Sequence, residues 1–466
     1  MQQAATTRRF RAPQAIFWTA LALRLAIIVI GHTYRIRPND HHFDFGFEAG
    51  RIAASLVGGH GYGNPFNGPS GPTAWLPPLY PLLIAAAFKL FGVYTNASAR
   101  ALMALSSVFS AATGLLLYEI AARCFDAFGL GRRASRRAEP VALWAGWLWV
   151  VNPVDIQYPI HWIWEMSLTT LLFTWTIVLA LRLRRVGEVP AAIADFDLLG
   201  RSAPSGRTIL IRWAALGLLW GLIALLNPSL LLVFVAQLLW LLWPRAGERF
   251  IATQLGHAAL CAVLSLAVLT PWIVRNERTL HAFIPTRDNL GVELWRSTEF
   301  YRGAFNWGTA MPLFSGDPEF RHYAAIGEVA YAREKMDIAK QRIAAHPHKF
   351  LTATLMRIQF FWCSEPHPFD RHPAQEYFRE LGFSFLSVAG LLGLALALYR
   401  RVAAAWLFAA AIALVPIAYY AVTVQARFRH PLEPLLTLLA IYLFRCAETD
   451  RAFSWQRTSQ PTQEPA

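Results

Sequence analysis

Ten apolar runs, each near the roughly 19 residues a helix needs to cross about 30 Å of hydrocarbon, constrain this chain more than any other feature. They cover 15–31, 101–121, 141–157, 166–183, 211–227, 229–243, 255–275, 383–399, 403–421 and 432–446. Lipid offers no hydrogen bonds, so runs of this kind satisfy their own backbone only as helices. The expected fold is an all-α polytopic membrane protein. Composition agrees: 55% of the 466 residues are hydrophobic and 15% charged, against about 45–50% and about 25% in soluble domains. A water-soluble enzyme is excluded, and 18 Trp and 31 Phe exclude disorder.

The net charge of +14, from 43 Lys and Arg against 29 Asp and Glu, would suggest nucleic acid in a soluble protein. Here the arginines fall in short segments between apolar runs, and no basic stripe alternates with exposed aromatics, so no nucleic-acid partner is expected. Threading the runs puts Arg8, Arg9 and Arg11, then Arg132, Arg133, Arg136 and Arg137, Arg182, Arg184 and Arg185, Arg245 and Arg249, and Arg400 and Arg401 on one face. By the positive-inside bias that face is cytoplasmic, as are both termini. A re-entrant helix at 78–92 would preserve this sidedness. The first run contains Arg24 and has no small-residue cleavage site, so it reads as a retained anchor.

Two long segments, 32–100 and 276–382, then face outward, and long loops of this kind bind or catalyse. The chain divides into an N-terminal transmembrane module (1–275, including the outer loop 32–100), an outer subdomain (276–382) with helix-like stretches, C-terminal membrane helices (383–446) and a cytoplasmic tail (447–466) whose end, 454–466, reads as disordered. The linker 186–210 is polar. Among Cys124, Cys261, Cys363 and Cys446 only Cys363 falls in an outer loop, so no disulfide framework is expected.

Buried or interfacial acids beside a bilayer are costly and tend to be kept for a use. In the first loop Asp40, Asp44 and Glu48 recur every four residues, and Asp44 and Glu48 share a helical face with Ile52, close to Arg51. The loop continues through a glycine-rich turn, 58–63, to Tyr62, Trp75 and Tyr80, aromatics suited to stacking on a sugar or anchoring at headgroups. The next outer turn brings Asp155, a turn residue, and Glu165, where a helix begins and an acid suits the dipole. Arg275 and Arg278 flank the exit of the 255–275 run, and Arg427, Arg429 and His430 precede the last one. Outer guanidinium groups are not needed for topology and suit a phosphate through bidentate hydrogen bonds. Asp195-Phe196-Asp197 lies on the cytoplasmic face, away from these acids. His41-His42 and His346-Pro347-His348 lack a third ligand, so no metal and no cofactor is expected, and nothing in the spacing supports a divalent cation.

Four blocks together resemble the membrane glycosyltransferases of the GT-C fold, in particular glycosyltransferase family 39, which includes protein O-mannosyltransferases and the lipid A aminoarabinose transferase. They are the acidic loop leading into 53–62, the Pro77-Pro78-Leu79-Tyr80-Pro81 helix ending at Phe91-Gly92, the Pro271-Trp272-Ile273-Val274-Arg275-Asn276 exit, and the block 427–434. The resemblance implies a bundle of about 10 to 12 transmembrane helices in the bacterial inner membrane. It also implies an inverting transfer of a sugar from a polyprenyl-monophosphate donor to an acceptor hydroxyl of protein, lipid or glycan at the outer face. Glu48, or in its place Asp44, would be the base. Glu165, Arg51, Tyr62, Tyr80, Arg275, Arg427, Arg429 and His430 would bind substrate, with membrane lipids as further partners. Compared with the family, Asp44 stands slightly early and Glu48 slightly late. Competing readings are a glycan ligase or polymerase using diphosphate-linked donors, and a lipid or glycan transporter.

Overall fold

The computed structural model describes residues 13–36, 45–126, 141–187, 205–244, 252–299, 315–365 and 373–458. Among these the chain is helical, with one isolated antiparallel bridge between Gly63 and Pro72. The order is α1 (Pro13–Ile30), α2 (Glu48–Val57), α3 (Leu79–Phe91), α4 (Asn96–Ala121), α5 (Val141–Val151), α6 (Pro153–His161), α7 (Met166–Leu183), α8 (Gly206–Ala224), α9 (Leu231–Leu242) and α10 (Ala252–Leu280). Then follow α11 (Leu290–Ser297), α12 (Pro318–Ile326), α13 (Glu328–Ala345), α14 (Pro347–Cys363), α15 (Pro373–Tyr399), α16 (Ala405–Leu414), α17 (Ile417–Ala421) and α18 (Glu433–Thr458).

Among the described residues six helices are long and apolar enough to cross a membrane: α1, α4, α7, α8, α10 and α15. Shorter apolar helices stand where other runs were read, at Val141–Val151, Pro228–Leu242 and Ala405–Ala421. The 141–157 run breaks at Asn152-Pro153 into α5 and α6, because proline supplies no N–H for a continuing helix. α18 continues to Thr458, past the end of its apolar run at 446.

Small residues let helix backbones approach where lipid supplies no hydrophobic drive. α8 meets α10 at Gly217, where a Cβ would lie 2.4 Å from the Cys261 carbonyl oxygen, and α15 meets α18 at Gly393, where one would lie 2.0 Å from that of Leu439. Two buried charged groups find partners across neighbouring helices. Arg24, fully buried in α1, donates to Ser110 Oγ (3.1 Å) and to the carbonyls of Trp149 (3.2 Å) and Val150 (3.4 Å), tying α1 to α4 and α5. Near the far end, Glu119 accepts from Arg123 (2.8 Å) and from both nitrogens of an Arg182 fork (2.7 and 2.6 Å).

Away from the apolar helices, α11 to α13 pack with part of the first loop around their own core, which includes Phe66, Trp75, Val292, Trp295, Tyr323 and Tyr331. Replacing Gly393 by Val forces α15 from α18. It is expected to cost ~1–3 kcal/mol, read as a lower thermal midpoint of the purified protein in detergent.

Candidate active site

Glu48 owes its place to a sharp reversal of the chain. Gly46 has φ +75° and Phe47 φ +37°, and a Cβ on Gly46 would lie 2.6 Å from the Ile163 carbonyl oxygen. At position 46 any side chain would meet that carbonyl, and the left-handed φ favours glycine there, which sets the start of α2 against 163–165. Ala49 N donates to Gly46 O (2.8 Å) and α2 begins with Glu48 in its first turn, where the helix dipole favours an anion.

Glu165 stands immediately before α7, yet its side chain makes no capping hydrogen bond. It faces a cavity that Glu48 also lines. The third member is Arg427, on the 3-10 segment Ala426–Leu432, whose guanidinium carbon lies 3.7 Å from the centroid of the Trp164 ring. A guanidinium on an aromatic face is held by cation–π attraction as well as by nearby carboxylates. Its buried Nε makes no hydrogen bond among the described residues, which leaves a charged donor for a ligand.

The cavity measures about 110 Å³ and is also lined by Trp75, Asn227, Arg287, Glu293, Tyr419 and Thr423, among others. That volume holds several waters at ~10–15 Å³ each. Tyr419 Oη lies 2.6 Å from Ser229 Oγ, which in turn donates to Asn227 Oδ1 (2.6 Å). Arg287 is steadied by Asn289, whose Oδ1 accepts from its Nε at 2.5 Å. Glu293 accepts from Thr423 Oγ1 (2.7 Å) and pairs with Arg296 (3.5 Å). Three carboxylates and two guanidinium groups therefore converge from four parts of the chain.

Burial pushes the Glu48 carboxyl above its ordinary range. Its own backbone N–H and the charge of Arg427 oppose that rise, and Glu293 adds to it. Glu165 is raised by burial too, against Arg427, its own backbone N–H and Arg287. An acid held above its ordinary range beside a cation is suited to taking a proton near neutrality.

The other residues singled out from sequence have different partners. Arg51 lies one turn beyond Glu48, its guanidinium 4.8 Å from the Phe47 ring centroid, and faces a second cavity. Tyr62 donates to the Leu76 carbonyl (2.9 Å), and Tyr80 is buried in α3. Arg275 donates to the carbonyls of Thr73 (2.6 Å) and Tyr62 (2.7 Å). Arg429 is fully buried and donates to Glu433 (2.7 Å), Ser387 Oγ (2.6 Å) and the Trp362 carbonyl (2.8 Å). His430 is buried between Trp149 and Tyr158, 3.8 Å from Asp155. None of these six lines the cavity that Glu48, Glu165 and Arg427 share. Asp40, Asp44, His41, His42, Asp195 and Asp197 lie outside the described residues. Among the described residues no three His, Cys, Asp or Glu side chains are grouped to hold a metal ion.

Sequence reasoning passed over Arg287, Asn289, Glu293, Tyr419 and Thr423, which carry no motif. It also missed Glu328, the first residue of α13. That buried carboxylate accepts from Thr73 Oγ1, from Ala74 N (2.6 Å) and from Tyr323 Oη (2.7 Å). With Arg275 on the neighbouring carbonyls it fixes loop 62–76 and so places Trp75 in the cavity wall. Glu328→Ala leaves those donors buried without an acceptor and is expected to cost ~3 kcal/mol or more, read as a lower melting midpoint.

No protein-family model matches the sequence, and no curated protein does. In three dimensions the chain is similar to the oligosaccharyltransferase of Archaeoglobus fulgidus in its apo form, with a TM-score of 0.51 and 13% identity over 97% of this chain and 53% of that one. Also similar is the same protein tethered to an acceptor peptide containing the NVT sequon, with a TM-score of 0.49 and 13% identity over 97% and 52% of the two chains. A third is ArnT from Cupriavidus metallidurans bound to undecaprenyl phosphate, with a TM-score of 0.36 and 15% identity over 96% and 81%. The chain spans about half the length of the oligosaccharyltransferase it resembles. The first of these likenesses assigns the fold, GT-C.

Proposed function

We propose that the chain is an inverting glycosyltransferase that moves a sugar from a polyprenyl-monophosphate donor to an acceptor hydroxyl at the outer face of a bacterial inner membrane. In this reading the bundle has ten to twelve spans, both termini are cytoplasmic, and 276–382 is a periplasmic subdomain. The observation that carries it is the meeting of Glu48, Glu165 and Arg427, from three separate parts of the chain, around one cavity.

Glu48 takes the acceptor proton as the hydroxyl oxygen attacks the anomeric carbon from the face opposite the phosphate. The bond from that carbon to the phosphate oxygen breaks, and the lipid phosphate leaves with the electron pair. A phosphate anion is a stable leaving group, so no acid need protonate it. Arg427, with Arg287 on the same cavity, stabilises the developing negative charge, the part that sequence gave to Arg275 or to Arg427 and Arg429. Glu165 orients Arg427 through its charge and the donor sugar through hydrogen bonds. Asp44 is the alternative base. The two guanidinium groups on different walls also favour a second reading, in which the donor is diphosphate-linked. Offering both donor types to the purified protein separates the two.

With a radiolabelled polyprenyl-phosphate sugar, Glu48→Gln is expected to lower kcat by about 10²–10⁴-fold, the range of a lost general base, with expression intact. Full activity in both Glu48→Gln and Asp44→Asn would overturn the catalytic assignment. Arg427→Gln is expected to lower it by about 10²–10³-fold.

The pH profile carries a separate sign. Glu48 must be ionised to act, and its pKa is raised above 4.5, so the rate climbs as pH rises through that higher value. Arg427 pulls that pKa down, so Arg427→Gln is expected to move the rising limb to higher pH.

A further inference from the structure

α2 has cavities on two sides. Glu48 and Ala49 face the candidate active site, while Arg51, Ala54 and Ser55 face a larger, more open cavity of about 420 Å³. The glycine-rich turn forms its far wall through His60 and Asn64, with Phe66 and Tyr94 at its edges. That wall is built with defined hydrogen bonds. Ser55 Oγ donates to the Gly61 carbonyl (3.0 Å) and accepts from Asn64 Nδ2 (3.2 Å), and Asn64 Oδ1 accepts from Ser70 N (2.8 Å) and Gly71 N (3.0 Å). Gly61, with φ +76°, permits the turn.

The chemistry of this cavity is one-sided. Arg51 and His60 line it, and among the described residues no carboxylate does. Its Tyr94 edge lies two residues before α4, a candidate membrane span that begins at Asn96. Just ahead of Tyr94, Leu90 is 75%, Phe91 47% and Val93 41% exposed, an apolar rim beside the start of that span. Lys89 is exposed in the last turn of α3. Arg100 and Arg35 both approach the Tyr34 ring, at 4.6 and 6.0 Å, where α1 ends. The positive-inside bias gives no reason for these basic residues on the face proposed to be outward. A guanidinium in the lining of a pocket whose Tyr94 edge adjoins, along the chain, exposed apolar side chains matches an amphiphile whose head is a phosphate.

We infer that the cavity between α2 and the glycine-rich turn is a second binding site, separate from the candidate active site, for the phosphate headgroup of an anionic outer-leaflet lipid, with Arg51 as its principal contact. Phosphate enters from the bilayer surface past Tyr94, and the acyl chains lie along Leu90, Phe91 and Val93. The site uses the sidedness given above but not the transfer reaction, and its test reads binding, which is blind to whether transfer occurs.

The test uses the full chain in detergent, titrated with phosphatidylglycerol, with phosphatidylcholine and with inorganic phosphate, and read by native mass spectrometry and thermal midpoint. Phosphatidylglycerol is expected to be retained and to stabilise the protein, whereas phosphatidylcholine and inorganic phosphate bind at least about tenfold more weakly. Arg51→Gln should weaken phosphatidylglycerol about tenfold, the loss of one charge-assisted hydrogen bond, and Arg51→Lys should restore most of it. Ala54→Phe fills the cavity without changing charge, so it should remove binding even if Arg51→Gln does not fold. Wild-type affinity in Ala54→Phe, or phosphatidylcholine bound as tightly as phosphatidylglycerol, would overturn the site. Inorganic phosphate bound as tightly as the lipid would overturn the lipid assignment.

Discussion

The Arg427 guanidinium, stacked on Trp164 and drawn by Glu48 and Glu165, is the interaction on which the arrangement of the site depends. Desolvating a guanidinium costs several kcal/mol, recovered only when opposite charge and good geometry surround it. Each partner comes from a different part of the chain, so the charge balance forms only when the first loop, the segment before α7 and the segment before α18 have met. Folding and assembly of the site are then the same event. No one of these loops could hold its charge at that depth alone.

Much of the remaining buried polarity works as structure around this centre. Glu328 and Arg275 hold loop 62–76 from two sides, and Arg24 ties α1 to the helices beside it. Arg429 reaches into the bundle between α14, α15 and α18, which fixes the short 3-10 segment from which Arg427 leaves. Buried away from water, the arginines find backbone carbonyls and Glu328 finds hydroxyl and amide donors, and each bond ties a loop to its neighbours. Behind the cavity wall lies a second layer of residues hydrogen-bonded to one another.

That second layer also explains which candidates could be read from sequence. Glu48, Glu165 and Arg427 stood out because ionisable side chains at the ends of apolar runs are rare and expensive. The same argument selected Arg275, Arg429 and His430, since sequence marks a costly charge but not the direction in which it points. Arg427 and Arg429 are two residues apart on a 3-10 segment of about three residues per turn, so they face different ways. One meets the cavity and the other the core. Arg287, Asn289 and Glu293 gave no signal, because ordinary polar residues in a long loop acquire a role only through what the fold brings opposite them.

The sequence by itself determined that the chain is helical and apolar enough for a bilayer, and it marked the ends of the apolar runs where costly charge collects. Those properties follow from local hydrophobicity and from the backbone's need for hydrogen bonds, both of which are written along the chain. Tertiary structure alone decided which charges share a cavity, which serve as internal ties, and that α2 divides one cavity from another. Those outcomes depend on approach distances such as that of Gly46 to Ile163, set between segments far apart in sequence.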